Sequence, residues 1–275
     1  MPVPELPEVE TVRRALEQEV LGRRIEQVAA RDVMMRRPVD AGRLREALPG
    51  RRLTSFRRRG KFLLADLDRG GSLLVHLGMS GRLRLTSPGE EVPPHTHVRA
   101  MLDDGRELRL VDPRRFGLVV LLEPGEEELD PSLQRLGIEP LVPELPAVLP
   151  DLLGGRRAPV KALLLDQRLV AGVGNIYATE ALWRAGVRPS RSPGRTASRR
   201  LERIAVELQQ VLREAIDAGG TTLRDFSSPA GDIGYFAVRL AVYGREGTPC
   251  TRCATPLRSS LIAGRSGAWC PACQR

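Results

Sequence analysis

Apolar residues at Val9, Val12, Leu16 and Val20 recur at helical spacing, so the chain opens on an amphipathic helix. Pro7 suits its first position, and Glu8 and Glu10 suit the positively polarised first turn. From residue 24 to 123 the period shortens to that of strands. Eight extended runs follow: Ile25–Ala29, Arg52–Arg57, Phe62–Leu67, Ser72–Leu77, Arg82–Thr86, Val98–Leu102, Glu107–Leu110 and Gly117–Leu122. Turn residues at Asp68-Arg69-Gly70-Gly71 and Asp103-Asp104-Gly105 join several of them into hairpins, which predicts a β-sandwich or barrel. Prolines at 140, 143, 146, 150 and 159 mark a linker. From Val160 the helical period returns in Val160–Leu165, in the stretch after Asn175 and in Ala197–Ala218, which Gly219-Gly220 closes.

The expected class is therefore α+β and multidomain, an N-terminal helix plus β-sandwich followed by a helical domain and a cysteine-bearing tail. The expected divisions are 1–135, a linker at 136–159, 160–245 and 246–275. No repeat or low-complexity segment interrupts them.

Charge narrows the partner. Among 275 residues, 43 Lys and Arg against 34 Asp and Glu leave a net +9, which steers towards phosphates or acidic membranes. No apolar run approaches the roughly 18 residues of a membrane span, and the acidic start is the reverse of a secretory leader. Nucleic acid in the cytoplasm is the expected partner, met by a monomer. The only four cysteines all follow residue 249, against a disulfide framework and for a metal site.

Cys250-Thr251-Arg252-Cys253 and Cys270-Pro271-Ala272-Cys273 have the spacing of a four-thiolate zinc site on a β-hairpin, one structural ion with a filled shell. Arg258 and Arg265 lie between the knuckles, and Gly264-Arg265-Ser266-Gly267 reads as a turn presenting Arg265. Ala171-Gly172-Val173-Gly174-Asn175-Ile176-Tyr177 has the glycine spacing that lets backbone approach a phosphate or another helix; Lys161 could converge on the same phosphate. Two loops, His76–Gly81 and Asp112–Gly117, place Met79, Arg114 and Phe116 among strands, where they could wedge into a base stack or simply belong to the core. Arg57-Arg58-Arg59 reads as a solvated face, with Lys61 able to pair with a phosphate.

The opening Pro4-Glu5-Leu6-Pro7-Glu8-Val9-Glu10 is either a plain helix start or a site of covalent chemistry. Were Pro4 the first residue, its secondary amine would titrate at about pH 8 and keep a neutral, nucleophilic fraction. Attack on an aldehyde or acetal carbon would form an iminium, and Glu5 could move the protons.

Taken in order, these segments, with Val242-Tyr243-Gly244-Arg245, resemble the bacterial formamidopyrimidine-DNA glycosylase family over nearly the whole length. The resemblance implies a two-domain enzyme with a helix-two-turn-helix domain and a β-hairpin zinc finger. It would excise oxidised purines from duplex DNA and cut the strand at the abasic site. It implies Pro4 as Schiff-base nucleophile, Glu5 as general acid/base, Lys61 as a phosphate contact assisting β-elimination and Arg265 as the finger arginine assisting δ-elimination. Met79, Arg114 and Phe116 would fill the vacated duplex position. His95, Arg156, Lys161 and Asn175 would hold the backbone, Glu8 would act near the site, and Thr221–Tyr235 would cover an extruded base.

The chain departs from the family at its start, Met1-Pro2-Val3-Pro4-Glu5 in place of Met-Pro-Glu. Initiation at Val3, followed by removal of the initiator, would expose Pro4. The competing readings are an endonuclease VIII type enzyme for oxidised pyrimidines and a non-catalytic zinc-dependent DNA-binding protein. Leu6 and the full Arg114-Arg115-Phe116 wedge weigh against the first. A ribosome-associated zinc protein would share the basic tail but has no use for the Pro-Glu start.

Overall fold

The computed structural model describes residues 4–219 and 240–275. It contains two compact units: the described residues up to Gln134, and Arg135–Ala218 with the described residues from 240 onward. Among the described residues no helix is long and apolar enough to cross a membrane.

In the first unit, α1 spans Leu6–Val20 and buries Leu6, Val9, Val12, Leu16 and Val20, the stripe expected from spacing. Each such aliphatic side chain removed from water contributes roughly 1.5–3 kcal/mol. Leu6 takes the first helical position, ahead of Pro7, and Glu5 is the N-cap. All eight anticipated strands form: β1 (Ile25–Ala30), β2 (Leu53–Arg59), β3 (Phe62–Leu67), β4 (Ser72–His76), β5 (Arg82–Thr86), β6 (Thr96–Leu102), β7 (Glu107–Val111) and β8 (Leu118–Leu122). They make two antiparallel four-stranded sheets, ordered β1-β6-β7-β5 and β2-β3-β4-β8. One core takes Val28, Leu85, Val98, Leu102 and Leu110 from the first sheet and Phe56, Leu63, Val75 and Leu121 from the second, together with the α1 stripe. The arrangement is a sandwich. A short helix, α2 (Ala41–Ala47), goes beyond the pattern: Asp40 caps it by accepting the Arg43 amide at 2.9 Å, and seven residues are too few to show a period.

In the second unit, residues 136–159 are not the extended linker that their prolines suggest. Leu145–Leu153 form a helix, α3, that buries Leu145, Leu149 and Leu153 and packs on the later helix Ser198–Asp217. Pro146 falls in the first turn, where a missing amide costs nothing, and Pro150 is tolerated inside because three fully buried leucines hold the helix. Helices α4 (Val160–Leu165), α5 (Asn175–Ala185) and α6 (Ser198–Asp217) follow, with α6 packed against α5 by a face that includes Leu201, Ile204, Leu208 and Val211. The hairpin β9 (Arg258–Ile262) and β10 (Arg265–Trp269) lies against α5 and shares a small core of Trp183, Val242, Leu257 and Ala268 with Cys250 and Cys270.

Candidate active site and cysteine centre

Glu5 and Glu8 are both buried at the start of α1, 3 % and 1 % exposed. They form a reciprocal capping box: Glu5 accepts the Glu8 amide, and the Glu5 amide donates to Glu8 Oε2 at 3.0 Å. Pro4, half-buried, immediately precedes this capping box of two buried carboxylates. The plain helix-start reading and the chemical reading describe the same geometry.

Lys61 is half-buried in the tight β2–β3 turn, preceded by Gly60 at φ +57°. His76, directly opposite Phe62 across β3 and β4, stacks on that ring at 4.7 Å and accepts the Gly78 amide on Nδ1 at 2.9 Å. Loss of water, then the charges of Arg36 and Lys61, push its pKa down to about 3, so this imidazole is neutral at physiological pH. The basic run is largely spoken for. Arg57 makes paired bonds to Asp66 and to Glu127, and Arg58 bonds Glu10 at 3.1 Å.

The two wedge loops meet on one residue, Asp112, whose side chain is fully buried. Its carboxylate accepts from Ser80 Oγ at 2.5 Å and from the Gly117 amide at 2.8 Å, while Ser80 Oγ also takes the Arg114 amide at 3.1 Å. The Asp112 amide donates to the His95 carbonyl at 3.0 Å, which brings His95, itself at φ +65°, into the same cluster. Gly78 packs so closely that a Cβ there would lie 2.4 Å from the Phe116 carbonyl carbon. On this base Arg114 and Phe116 project outward, Phe116 46 % exposed and the Arg114 guanidinium 4.8 Å above its ring. Met79 is half-buried beside them. An exposed aromatic under a guanidinium is a poor core and a suitable wedge. The organising role of Asp112 was missed from sequence; its only signal was an Asp-Pro start to a loop with a glycine five residues on.

In the second unit Lys161 is fully buried, and its Nζ donates to the Ser266 carbonyl at 3.2 Å. Asn175, the first residue of α5, donates to the same carbonyl at 2.8 Å and has a buried Oδ1 without a protein partner. Gln167, also missed from sequence, shapes the glycine loop: it accepts the Gly172 amide at 2.8 Å and donates to the Leu165 and Val173 carbonyls at 3.0 and 2.8 Å. Glu180, 1 % exposed, accepts the amides of Ala241, Val242 and Tyr243 and so fixes the segment leading to the cysteines. Arg156 is exposed after α3, with its Nε on the Leu152 carbonyl at 3.0 Å. Arg265 is exposed at the start of β10, beside the Ala263-Gly264 turn.

The four cysteine sulfurs lie within 4.8 Å of one another, Cys253 at 3.4 Å from both Cys270 and Cys273, and Cys250 at 4.0 Å from Cys273. Thiolates at about 2.3 Å from one tetrahedral ion would sit roughly 3.8 Å apart, so the set fits a single metal. Desolvation and the other sulfurs push the Cys273 thiol up, whereas hydrogen bonds from Thr255 draw Cys253 down. Four negative sulfurs at this spacing need a cation between them.

Family comparison agrees with the geometry. Residues 3–119 match the formamidopyrimidine-DNA glycosylase N-terminal domain, and residues 136–227 match the H2TH domain of the same enzymes. The chain belongs to the formamidopyrimidine-DNA glycosylase family. Proteins of that name from Rhizorhabdus wittichii and Halorhodospira halophila are 47 % and 48 % identical to it, each match covering 99 % of this chain and 100 % of the relative. The crystal structure of the MutM (Fpg) protein of Thermus thermophilus matches with a TM-score of 0.83 at 44 % identity, covering 98 % of each chain. The Lactococcus lactis Fpg in complex with DNA containing N7-benzyl-Fapy-dG matches with a TM-score of 0.90 at 31 % identity, over 99 % of this chain and all of that one. By family it is thus a DNA glycosylase of DNA repair. The segment Thr221–Tyr235, expected to cover an extruded base, lies outside the described residues, as do residues 1–3.

Proposed function

We propose that this glycosylase excises oxidised purines, 8-oxoguanine and formamidopyrimidines, from duplex DNA and then cleaves the strand by β- and δ-elimination, with Pro4 as the covalent nucleophile. The observation that carries the reading is the buried Glu5–Glu8 capping box that follows immediately after Pro4 in the chain. Support comes from relatives: the Lactococcus lactis Fpg has been solved with DNA containing Fapy-dG and with DNA containing an abasic site, and a MutM protein with DNA containing carbocyclic 8-oxo-G.

The chemistry balances without a redox step. The Pro4 nitrogen bonds to C1′ of the extruded nucleotide as the glycosidic bond breaks, and the departing base takes up a proton. Ring opening then breaks C1′–O4′, the electron pair and a proton going to O4′, and leaves an iminium that acidifies C2′; loss of the C2′ proton expels the 3′ phosphate, and a second elimination expels the 5′ phosphate. Water then hydrolyses the imine and returns the free amine. Glu5 is the group placed to relay protons. Lys61 and Arg265 serve the two phosphates, Lys161, Asn175, His95 and Arg156 hold the backbone, and Met79, Arg114 and Phe116 offset the few kcal/mol lost on unstacking the base. Cys250, Cys253, Cys270 and Cys273 would hold one structural Zn2+, whose bound form fixes the hairpin.

The mechanism requires Pro4 as the first residue of the working enzyme, since an amide nitrogen is no nucleophile. Intact mass of the native protein reads this directly. Borohydride trapping on duplexes bearing 8-oxoguanine should give a covalent adduct with a protein beginning at Pro4 and none with Pro4→Gly. A protein that binds the lesion yet never traps sinks the proposal. One Lactococcus lactis Fpg complex contains an oxidised pyrimidine, so such lesions belong in the substrate panel.

A further inference from the structure

The second unit carries a cavity of about 1050 Å³ of whose lining residues only Arg156 has a part in the proposed chemistry. Its walls come from four separate segments: the loop after α3, the Arg188–Arg195 stretch, the base of the β9–β10 hairpin and the last residues of the chain. Seven arginines face it: Arg156 and Arg157 from the first segment, Arg188, Arg191 and Arg195 from the second, Arg258 from the third and Arg275 from the fourth. Among the described residues no Asp or Glu lines it, and none lies within ion-pair distance of any of the seven. Asp166 reaches Arg156 only as a longer-range charge. In contrast, the arginine run on the first unit is matched by Asp66, Glu127 and Glu10.

Several of these cations are held in place. The Arg188 guanidinium lies 4.5 Å above the ring of Trp269, and Arg191 Nε and Nη2 donate to the Arg195 carbonyl at 3.1 and 2.6 Å. Gln274 ties the wall to the cysteine knuckle, accepting the Cys270 amide at 2.8 Å and donating to the Val187 carbonyl at 2.9 Å. Gathering this much positive charge without a carboxylate costs stability unless an anion shares it. The arrangement is elongated over four segments, with arginine forks in place of lysine points, which suits successive phosphates.

We propose that this arginine-lined cavity is a second phosphate-binding site, taking the backbone of duplex DNA beyond the lesion and independent of the groups assigned to the lesion itself. It rests on the reading of the protein as a DNA enzyme but not on Pro4 chemistry. Arg157 and Arg195 are the residues to test: both are exposed, and neither side chain makes a hydrogen bond or ion pair.

The experiment compares binding of wild type and Arg157→Gln/Arg195→Gln to undamaged duplexes of about 10 and 30 base pairs as a function of salt. Two lost phosphate contacts make the salt slope on the long duplex shallower by about two, so the affinity drop between 50 and 200 mM salt shrinks roughly tenfold. The short duplex should show little change. Arg188→Gln, made separately, should act in the same direction, and melting curves establish that each variant folds. Equal salt slopes for variant and wild type on the long duplex overturn the proposal, as does an equal loss on both lengths. Tripolyphosphate binding to the cavity with no effect of duplex length assigns it to free phosphates and also overturns it. Borohydride trapping on the short lesion duplex, run in parallel, reports failure of the Pro4 mechanism separately.

Discussion

Lys161 Nζ and Asn175 Nδ2 converge on a single carbonyl, that of Ser266 on the cysteine hairpin, at 3.2 and 2.8 Å. A helix, a helix start and a strand of the cysteine-bearing hairpin thus share one acceptor, so the hairpin helps to aim both side chains. The neighbouring Gly267 leaves the room: a Cβ there would fall 2.2 Å from Lys161 Nζ and 3.1 Å from Thr179 Oγ1. Because Lys161 is fully buried, its end cannot swing aside into solvent.

Gly267→Ala should therefore weaken DNA binding by roughly ten- to a hundredfold, the scale of a lost charge-assisted bond. In a double-mutant cycle with Lys161→Ala the two losses should not add, as measured by fluorescence anisotropy on labelled duplex. Additive losses would mean that Gly267 does not act through Lys161.

Metal removal should act through the same carbonyl. Chelation, or Cys253→Ser, should unfold the β9–β10 hairpin and abolish DNA binding while leaving the first unit's sandwich folded. Near-ultraviolet circular dichroism of Trp269, with metal analysis, follows the hairpin; hydrogen exchange of β2–β4 follows the sandwich.

Asp112 underlies both wedge loops, and Asp112→Ala leaves the Ser80 hydroxyl and the Gly117 amide without their acceptor. The loss of stability should be on the order of 2–4 kcal/mol. Excision under single-turnover conditions should fall further than melting alone explains, since Arg114 and Phe116 lose their base. Asp112→Asn, which keeps one acceptor oxygen, should recover part of both.

His76 gives the enzyme an acid limit. Its folded pKa, lowered to about 3, lies below the ordinary value of 6.5. Its contribution is complete above pH 6.5 and is lost progressively as pH falls towards 3, because the unfolded chain takes up the proton first. Urea denaturation of wild type should therefore show stability falling by about 2 kcal/mol between pH 7 and pH 5. His76→Gln should flatten that interval.

Much of this molecule was legible before folding because its signals are local. Period-2 runs between turn residues located all eight strands of the sandwich, and the Val9-Val12-Leu16-Val20 stripe located α1. The cysteine spacing located the four-sulfur cluster, because a tetrahedral thiolate shell imposes such spacing. The α3 helix was hidden by its prolines, since a sequence shows the missing amides but not the buried leucines that outweigh them.

What the amino-acid order by itself determined was the identity of the chemical groups and the elements that carry them: Pro4 before Glu5, two cysteine pairs, Arg265 in a hairpin turn. Only the tertiary structure decided which groups meet. Asp112 binding two loops, Ser266 receiving Lys161 and Asn175, and seven arginines around one cavity all join residues distant along the chain. The physical reason is that secondary structure follows from short-range sterics and periodicity, whereas burial of a charge and its compensation depend on what packs around it.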